Sequence, residues 1–279
     1  MAEDLKAACV IGWPVAHSRS PLIHNYWIKE HGLHAEYRRE AVPPEAFAEF
    51  LPQLEQRGYV GANVTVPHKE AALALSAPDA QAEAVGAANT LWRDGDRLRS
   101  TNTDVEGFIA NLDASVANWD RGLRTAVVLG AGGAARAVVY GLLGREIERI
   151  CVVNRGFERA QALRDTFGAR IEPAHWRDAH RLLADADLLV NTTSLGMTGQ
   201  PPLDLDLAPL VPSAVVADLV YAPLETGLLA AARARDLRTA DGLGMLLHQA
   251  VGGFKRWFGV QPKVTEALRA LVEADLMRK

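Results

Sequence analysis

The chain has 279 residues, 49% of them hydrophobic and 23% charged, ordinary values for a globular protein long enough for two domains. A formal net charge of −4 leaves no basic footprint for nucleic acid or an anionic membrane, and no apolar run reaches the length of a membrane span. The acidic start, Met1-Ala2-Glu3-Asp4, is unlike the basic n-region of a secretory signal, so a cytoplasmic protein is expected.

The first hundred residues alternate short strand-like and helix-like runs. A strand is expected at 8–11, a helix at 21–31, a strand at 36–41 and a helix at 45–57. A strand at 61–66, a helix at 69–75 and a hairpin at 90–98 around Asp94-Gly95 follow. Four polar patches punctuate this pattern. In Gly12-Trp13-Pro14-Val15-Ala16-His17-Ser18-Arg19-Ser20-Pro21, Ser18 and Ser20 are spaced to turn two hydroxyls toward one anion, and equally to cap a helix. In Asn63-Val64-Thr65-Val66-Pro67-His68-Lys69, the two-residue strand period puts Asn63 and Thr65 on one face. Pro67 ends that strand, and Lys69 falls just past its end, a common place for functional side chains in α/β domains. Asn89 lies in the third patch. The fourth, Asn102-Thr103-Asp104, precedes a helix expected at 104–116, where Asp104 is either a cap or a reactive carboxylate.

The middle of the chain is the most explicit. Thr125-Ala126-Val127-Val128-Leu129 is β-branched and apolar, as a buried parallel strand is. It runs into Gly130-Ala131-Gly132-Gly133-Ala134-Ala135-Arg136 and then an Ala-rich helical run to residue 143. Strand, glycine turn and helix are the context in which a G-x-G-x-x-G/A pattern binds a dinucleotide. Gly130 permits the tight turn, Gly132 lets the backbone approach a pyrophosphate, and Ala135 fills the third, helix-packing position. The free N–H groups of the helix start then face the phosphates. The strand at 149–153 ends in Asn154-Arg155, where an NAD site usually carries Asp or Glu for the ribose 2′-hydroxyl. A neutral residue followed by Arg155 and Arg159 suits a 2′-phosphate instead, hence NADP(H); a solvated helix start is the plainer reading of the two arginines.

Strands are expected at about 169–172, at 187–191, at 214–220 and around Arg238-Thr239-Ala240-Asp241, alternating with helices. From Met245 the pattern is helical, interrupted at 259–262. The two cysteines, Cys9 and Cys151, fall inside strand runs and read as reduced core thiols. The eight histidines are scattered; His31 and His34 are three apart without further ligands, so no metal site is expected.

Taken together, these blocks resemble the shikimate dehydrogenase family. They are Gly-x-Pro-x-x-His-Ser-x-Ser-Pro at 12–21, Asn-Val-Thr-x-Pro-x-Lys at 63–69, Ala-Asn-Thr at 88–90, Asn-Thr-Asp at 102–104 and the glycine turn at 130–136. Residues 191–197, 218–223 and 242–249 continue the likeness in the same order. The resemblance implies a two-domain α/β fold with the active site in the cleft. An N-terminal substrate domain, 1–103, would be completed by helices at 245–279, and 104–244 would form a Rossmann-like NADP-binding domain. It also implies hydride transfer between NADPH and 3-dehydroshikimate, giving shikimate. By the same resemblance Lys69 and Asp104 form the catalytic pair, either of which could be the proton donor. Ser18, Ser20, Asn63, Thr65, Asn89, Tyr221 and Gln249 bind substrate. Gly130, Gly132, Gly133, Ala134, Asn154, Arg155, Arg159, Thr193 and Gly242 bind cofactor. One departure stands out: the family often reads Asn-Arg-Thr at the adenosine site, and Gly156 replaces that Thr. A small-molecule substrate and a monomer or homodimer are expected. The alternatives are an NAD-dependent quinate/shikimate dehydrogenase and a non-catalytic nucleotide sensor, the latter having no need of both Lys69 and Asp104.

Overall fold

The computed structural model describes residues 5–278, so the acidic start lies outside the described residues. The chain divides into two compact units, one from the N-terminal segment to Thr103 with Leu247–Asp275, the other centred on Asp104–Leu246. No helix among the described residues is long and apolar enough to cross a membrane.

The first unit begins with β1 (Lys6–Gly12), α1 (Ser20–Glu30), β2 (Ala35–Ala41), α2 (Pro44–Phe50), β3 (Tyr59–Val64) and α3 (Lys69–Ala74). β4 (Ala77–Pro78), α4 (Ala80–Val85), β5 (Thr90–Asp94) and β6 (Arg97–Thr101) follow. The sheet order is β2-β1-β3-β5-β6-β4, with β1 parallel to both neighbours and the β5–β6 hairpin antiparallel. β1 is buried after its first residue, as an inner strand covered on both faces must be. β2 lies at the sheet edge and alternates charge, Glu36, Arg38, Arg39 and Glu40, which blunts edge-to-edge pairing. Gly95 supplies the positive φ, +58°, that the hairpin turn needs.

The second unit opens with α5 (Asp104–Ser115), β7 (Thr125–Leu129), α6 (Gly133–Gly144), β8 (Arg149–Asn154), α7 (Phe157–Phe167) and β9 (Ile171–His175). It continues with α8 (Ala179–Leu182), β10 (Leu188–Asn191), β11 (Val215–Asp218), α9 (Gly227–Arg233) and β12 (Arg238–Ala240). All six strands are parallel in the order β12-β11-β10-β7-β8-β9, the doubly wound arrangement in which strand order reverses beside the first strand. Side chains alternate across it as the two-residue period requires. Ala126, Val128, Ile150 and Val152 join a core with Phe108, Leu112, Val138 and Leu142, while Val127, Leu129, Cys151 and Val153 join Leu182, Leu228 and Leu229 on the other face. Cys9 and Cys151 are free and buried.

The chain then enters α10 (Gly242–Phe258) and α11 (Glu266–Met277). Leu247–Asp275 belong to the first unit, where Phe254 of α10 meets Trp27 of α1 edge to face at 5.4 Å between ring centroids. Trp257 lies over Gly61, where a Cβ would stand 2.2 Å from its indole nitrogen, and that nitrogen donates to the Leu91 carbonyl at 2.8 Å. Trp27 is wholly buried and donates to the Lys263 carbonyl at 3.0 Å.

Several boundaries differ from the sequence expectation. The helix expected at 45–57 stops at Phe50 and tightens into a 3₁₀ turn, Leu51–Gln53, because Pro52 has no N–H with which to continue the ladder. The hairpin runs on to Thr101. The strand expected at about 169–172 is β9, displaced to Ile171–His175, and the one expected at 214–220 shortens to Val215–Asp218. The last helical region starts at Gly242 rather than Met245, since Gly242 and Gly244 pack their bare backbone on Leu219 and Asn111. β4 and α4 have no counterpart in the sequence expectation.

Candidate active site

In the first unit, the polar patches, as far as Thr103, gather around the carboxyl ends of the parallel strands β1 and β3. Trp13 N–H donates to the Val66 carbonyl at 3.1 Å, and Thr65 N–H to Ile11 O at 2.9 Å, so the loops leaving β1 and β3 are tied together. Gly12 is required there: a Cβ would stand 2.4 Å from Thr65 Cγ2. The Ser18 hydroxyl donates to Ser20 Oγ and accepts the Ser20 N–H, both at 3.3 Å. The loop itself is clamped from outside, for Arg39 Nε and Nη2 both donate to the Ser18 carbonyl, at 3.1 and 2.6 Å. Ser20 is the first residue of α1, with Pro21 in its first turn, but the N-cap position is Arg19 and no side chain caps this helix start, so the capping expected of the serines is absent.

Asn63 sits at the centre of a buried network. Its Oδ1 accepts from Tyr37 OH at 2.7 Å, and its Nδ2 donates to the Asn89 carbonyl at 3.2 Å and to Thr90 Oγ1 at 3.1 Å. Burial pushes the Tyr37 hydroxyl well above its ordinary range, so it stays protonated and orients the amide. His24 stacks on Tyr37 at 4.1 Å; burial drives its pKa down to about 3, against a smaller opposing pull from Asn63. Asn89 Oδ1 accepts from Thr103 N at 2.7 Å and from the Thr90 and Thr103 hydroxyls, both at 3.1 Å. Lys69 opens α3, and its carbonyl accepts the Ala88 N–H at 2.9 Å, which joins it to the Asn89 segment. The preceding His68 is locked by Val42 O at 2.7 Å and by stacking on Phe47 at 4.4 Å. Gln249 is buried on α10 within this unit. Sequence reasoning misses the roles of Tyr37, Thr90 and Thr103; only the fold reveals that a β-strand tyrosine and two threonines orient the asparagines.

In the second unit the glycine turn bridges β7 and α6 at the switch point. Gly130 has φ +103°, and a Cβ there would meet Thr192 Oγ1 at 2.7 Å. Gly132 and Gly133, by contrast, face open space, and no side chain caps the start of α6. Uncapped N–H groups behind an open glycine cradle are what a dinucleotide pyrophosphate requires. Ala134 follows, partly exposed. Across the crevice, Thr192 Oγ1 donates to Leu129 O at 2.6 Å, while Thr193 Oγ1 donates to Asn191 Oδ1 at 2.7 Å. Asn191 in turn donates to Asp218 Oδ1 at 2.9 Å, and Thr226 to Asp218 Oδ2 at 2.7 Å. Burial pushes the Asp218 pKa up, and these bonds with that from Val220 N pull against it. The blocks at 191–197 and 218–223 are therefore one hydrogen-bonded scaffold beside the crevice. Tyr221 follows β11, half-buried, and Gly242 is buried with a Cβ position 2.3 Å from Leu219 O. Asp104 is the first residue of α5 and of this unit.

At the end of β8, Asn154 Nδ2 donates to the Gly156 carbonyl at 2.8 Å and shapes the turn into α7. Arg155 and Arg159 are exposed, and among the described residues neither is held in an ion pair, whereas Arg145 and Arg149 are each engaged by two carboxylates. No carboxylate ends β8.

A doubly wound sheet with an open glycine cradle, next in the chain to an α/β unit rich in buried amides, defines the class: a dinucleotide-dependent oxidoreductase. Three family models match in order. Shikimate dehydrogenase substrate binding domain covers 10–91, Shikimate / quinate 5-dehydrogenase covers 116–197, and Shikimate 5′-dehydrogenase C-terminal domain covers 242–272. A relative from Rhodopseudomonas palustris named Shikimate dehydrogenase (NADP(+)) is 67% identical over 279 residues, 100% of both chains. One of the same name from Nitrobacter hamburgensis is 66% identical over 97% of this chain and 95% of its own. Among solved structures, shikimate 5-dehydrogenase from Thermus thermophilus in complex with NADP(H) and shikimate has a TM-score of 0.85 at 35% identity, covering 98% of each chain. Quinate dehydrogenase from Corynebacterium glutamicum in complex with NAD has a TM-score of 0.89 at 32% identity, covering 96% of this chain and 98% of its own. The chain belongs to the shikimate dehydrogenase family.

Proposed function

We propose that this chain reduces 3-dehydroshikimate to shikimate with NADPH, reversibly, as a cytoplasmic enzyme of aromatic amino acid biosynthesis. The observation that carries the cofactor half is the end of β8, where Asn154 and exposed Arg155 and Arg159 stand in place of a ribose-binding carboxylate. The substrate half rests on likeness to full-length relatives of that name and on the polar cluster of the first unit.

The residues fit the cofactor. Gly130, Gly132, Gly133 and Ala134 would hold the pyrophosphate on the α6 start, Asn154, Arg155 and Arg159 the adenosine 2′-phosphate, and Thr193 and Gly242 would line the remainder. The nicotinamide, when bound, supplies or takes the hydride. Ser18 and Ser20, with Tyr221, are assigned to the substrate carboxylate. Asn63, Thr65, Asn89 and Gln249 are assigned to the ring hydroxyls and the carboxylate rim. The preset amides of Asn63 and Asn89 orient the ring without reorganising, as catalysis by positioning demands. Lys69 is assigned to the reacting oxygen, where its ammonium stabilises developing alkoxide charge. Asp104 is assigned as its partner carboxylate, which favours the charged lysine. One of the two delivers the proton.

The test is nicotinamide absorbance with shikimate and quinate, each tried with NADP⁺ and NAD⁺. Turnover of shikimate with NADP⁺ is expected. Dominant quinate turnover with NAD⁺ would assign the chain to quinate oxidation instead, and silence in all four pairs would leave a binding protein. Gly156 offers a second check. It is the N-cap of α7 with φ −90° and ψ 104°, a conformation open to any residue, and a Cβ there meets only Asn154 Nδ2 and Glu158 Oε2 at 3.8 Å. Gly156→Thr should therefore fold, place a hydroxyl beside the arginines, and tighten NADP⁺ about two- to fivefold in calorimetry. Weaker binding would mean that the pocket needs the bare glycine.

A further inference from the structure

β8 does not end alone. In the β8–β9 ladder Asn154 pairs directly with His175, so the last residue of β9 stands beside the turn that carries Arg155. His175 is exposed, and its ring stacks on Phe157, the first residue of α7, at 4.7 Å between centroids and 28° between planes. Phe157 thus holds the imidazole on the α7 side of the strand end, where Arg155 and Arg159 flank the Gly156 turn. Glu158 is the acidic group of the same turn, and Arg177 lies two residues past His175, both exposed. A second donor beside Glu158 offsets its repulsion of an anion, and Gly156 leaves the turn without a hydroxyl.

We infer that His175, held by Phe157, is a further contact for the adenosine 2′-phosphate and contributes to the choice of NADP(H) over NAD(H). The inference rests on the NADP(H) reading of this site and extends it to a residue on the neighbouring strand. An imidazole presents an N–H to the phosphate in either protonation state and gains a charge-assisted bond when protonated. The energy is that of an exposed pair, so the effect is modest and selective.

The experiment is calorimetric binding of NADP⁺ and of NAD⁺, without substrate, to the full chain and to His175→Ala and His175→Gln. His175→Ala should weaken NADP⁺ about three- to fivefold and NAD⁺ less than about twofold, with His175→Gln, which keeps an N–H, closer to the parent. Unchanged NADP⁺ affinity in both variants would overturn the inference. So would equal losses for the two nucleotides, which would place the ring under the adenine or in the fold. If the parent chain itself bound NADP⁺ no better than NAD⁺, the NADP(H) reading would fall first.

Discussion

Lys69→Ala is expected to lower kcat by about two orders of magnitude or more, roughly 2.7 kcal/mol of transition-state stabilisation, with NADPH affinity close to the parent value. The backbone around Lys69 explains why the loss should be chemical rather than structural. Its carbonyl is held by Ala88 N–H, and His68 before it is pinned by Val42 and Phe47. The side chain is only partly buried, so truncation opens no core cavity. Lys69 also belongs to the first unit and the glycine turn to the second, so nucleotide affinity offers an independent control on folding. Single-turnover kinetics with NADPH and 3-dehydroshikimate measure the step directly. Lys69→Arg sharpens the result: it keeps the positive charge but holds its proton too tightly to give it up. If Lys69→Arg were near wild type while Lys69→Ala was not, the residue would act through charge alone, and Asp104 would be left as the proton donor. A near-wild-type rate for Lys69→Ala would remove the catalytic assignment.

Much of the nucleotide-binding unit was legible because its signals are local. A β-branched run, a glycine turn and an Ala-rich helix occupy consecutive residues, and the structure reproduces them as β7, the Gly130 turn and α6. The end of β8 at Asn154, with Arg155 just past it, was legible for the same reason. Strand order was not, since nothing within β10 states that it lies against β7 rather than β9. α4 carried signals that could have been used. Asp79 caps it by accepting the Ala82 N–H at 2.9 Å, and Gly86 closes it with φ +74°. β4 carried none, being two residues long and defined only by pairing with β6. The asparagine network was half legible. Asn63 and Asn89 stand out as polar residues in apolar surroundings, but Tyr37 reaches Asn63 across 26 positions of sequence. Such a bond exists only once β1 has brought β2 and β3 together on either side of it. His175 is hidden in the same way, far beyond Asn154 in the chain and opposite it in the ladder.

Arg155→Ala should weaken NADP⁺ about ten- to hundredfold and NAD⁺ by less than about twofold, because the two nucleotides differ only in the phosphate that a guanidinium would pair with. Arg155 is exposed, packs in no core and is engaged in no ion pair among the described residues, so its removal costs the fold little. That distinguishes it from Arg149, at the start of the same strand, which bridges Glu172 and Asp185 and whose loss would be felt in stability. The guanidinium's planar fork also makes Arg155→Lys an unequal exchange: a point charge keeps part of the attraction and loses the paired geometry. Intermediate affinity for NADP⁺ is therefore expected from Arg155→Lys, and the difference between parent and variants should shrink as salt is raised, since the site is open to solvent. Calorimetric titrations at two ionic strengths read both effects. Equal losses for NADP⁺ and NAD⁺ would make Arg155 a structural residue of the α7 start. The choice of cofactor would then have to rest on Arg159 and the neighbouring strand end, a site that an Arg155 variant leaves intact.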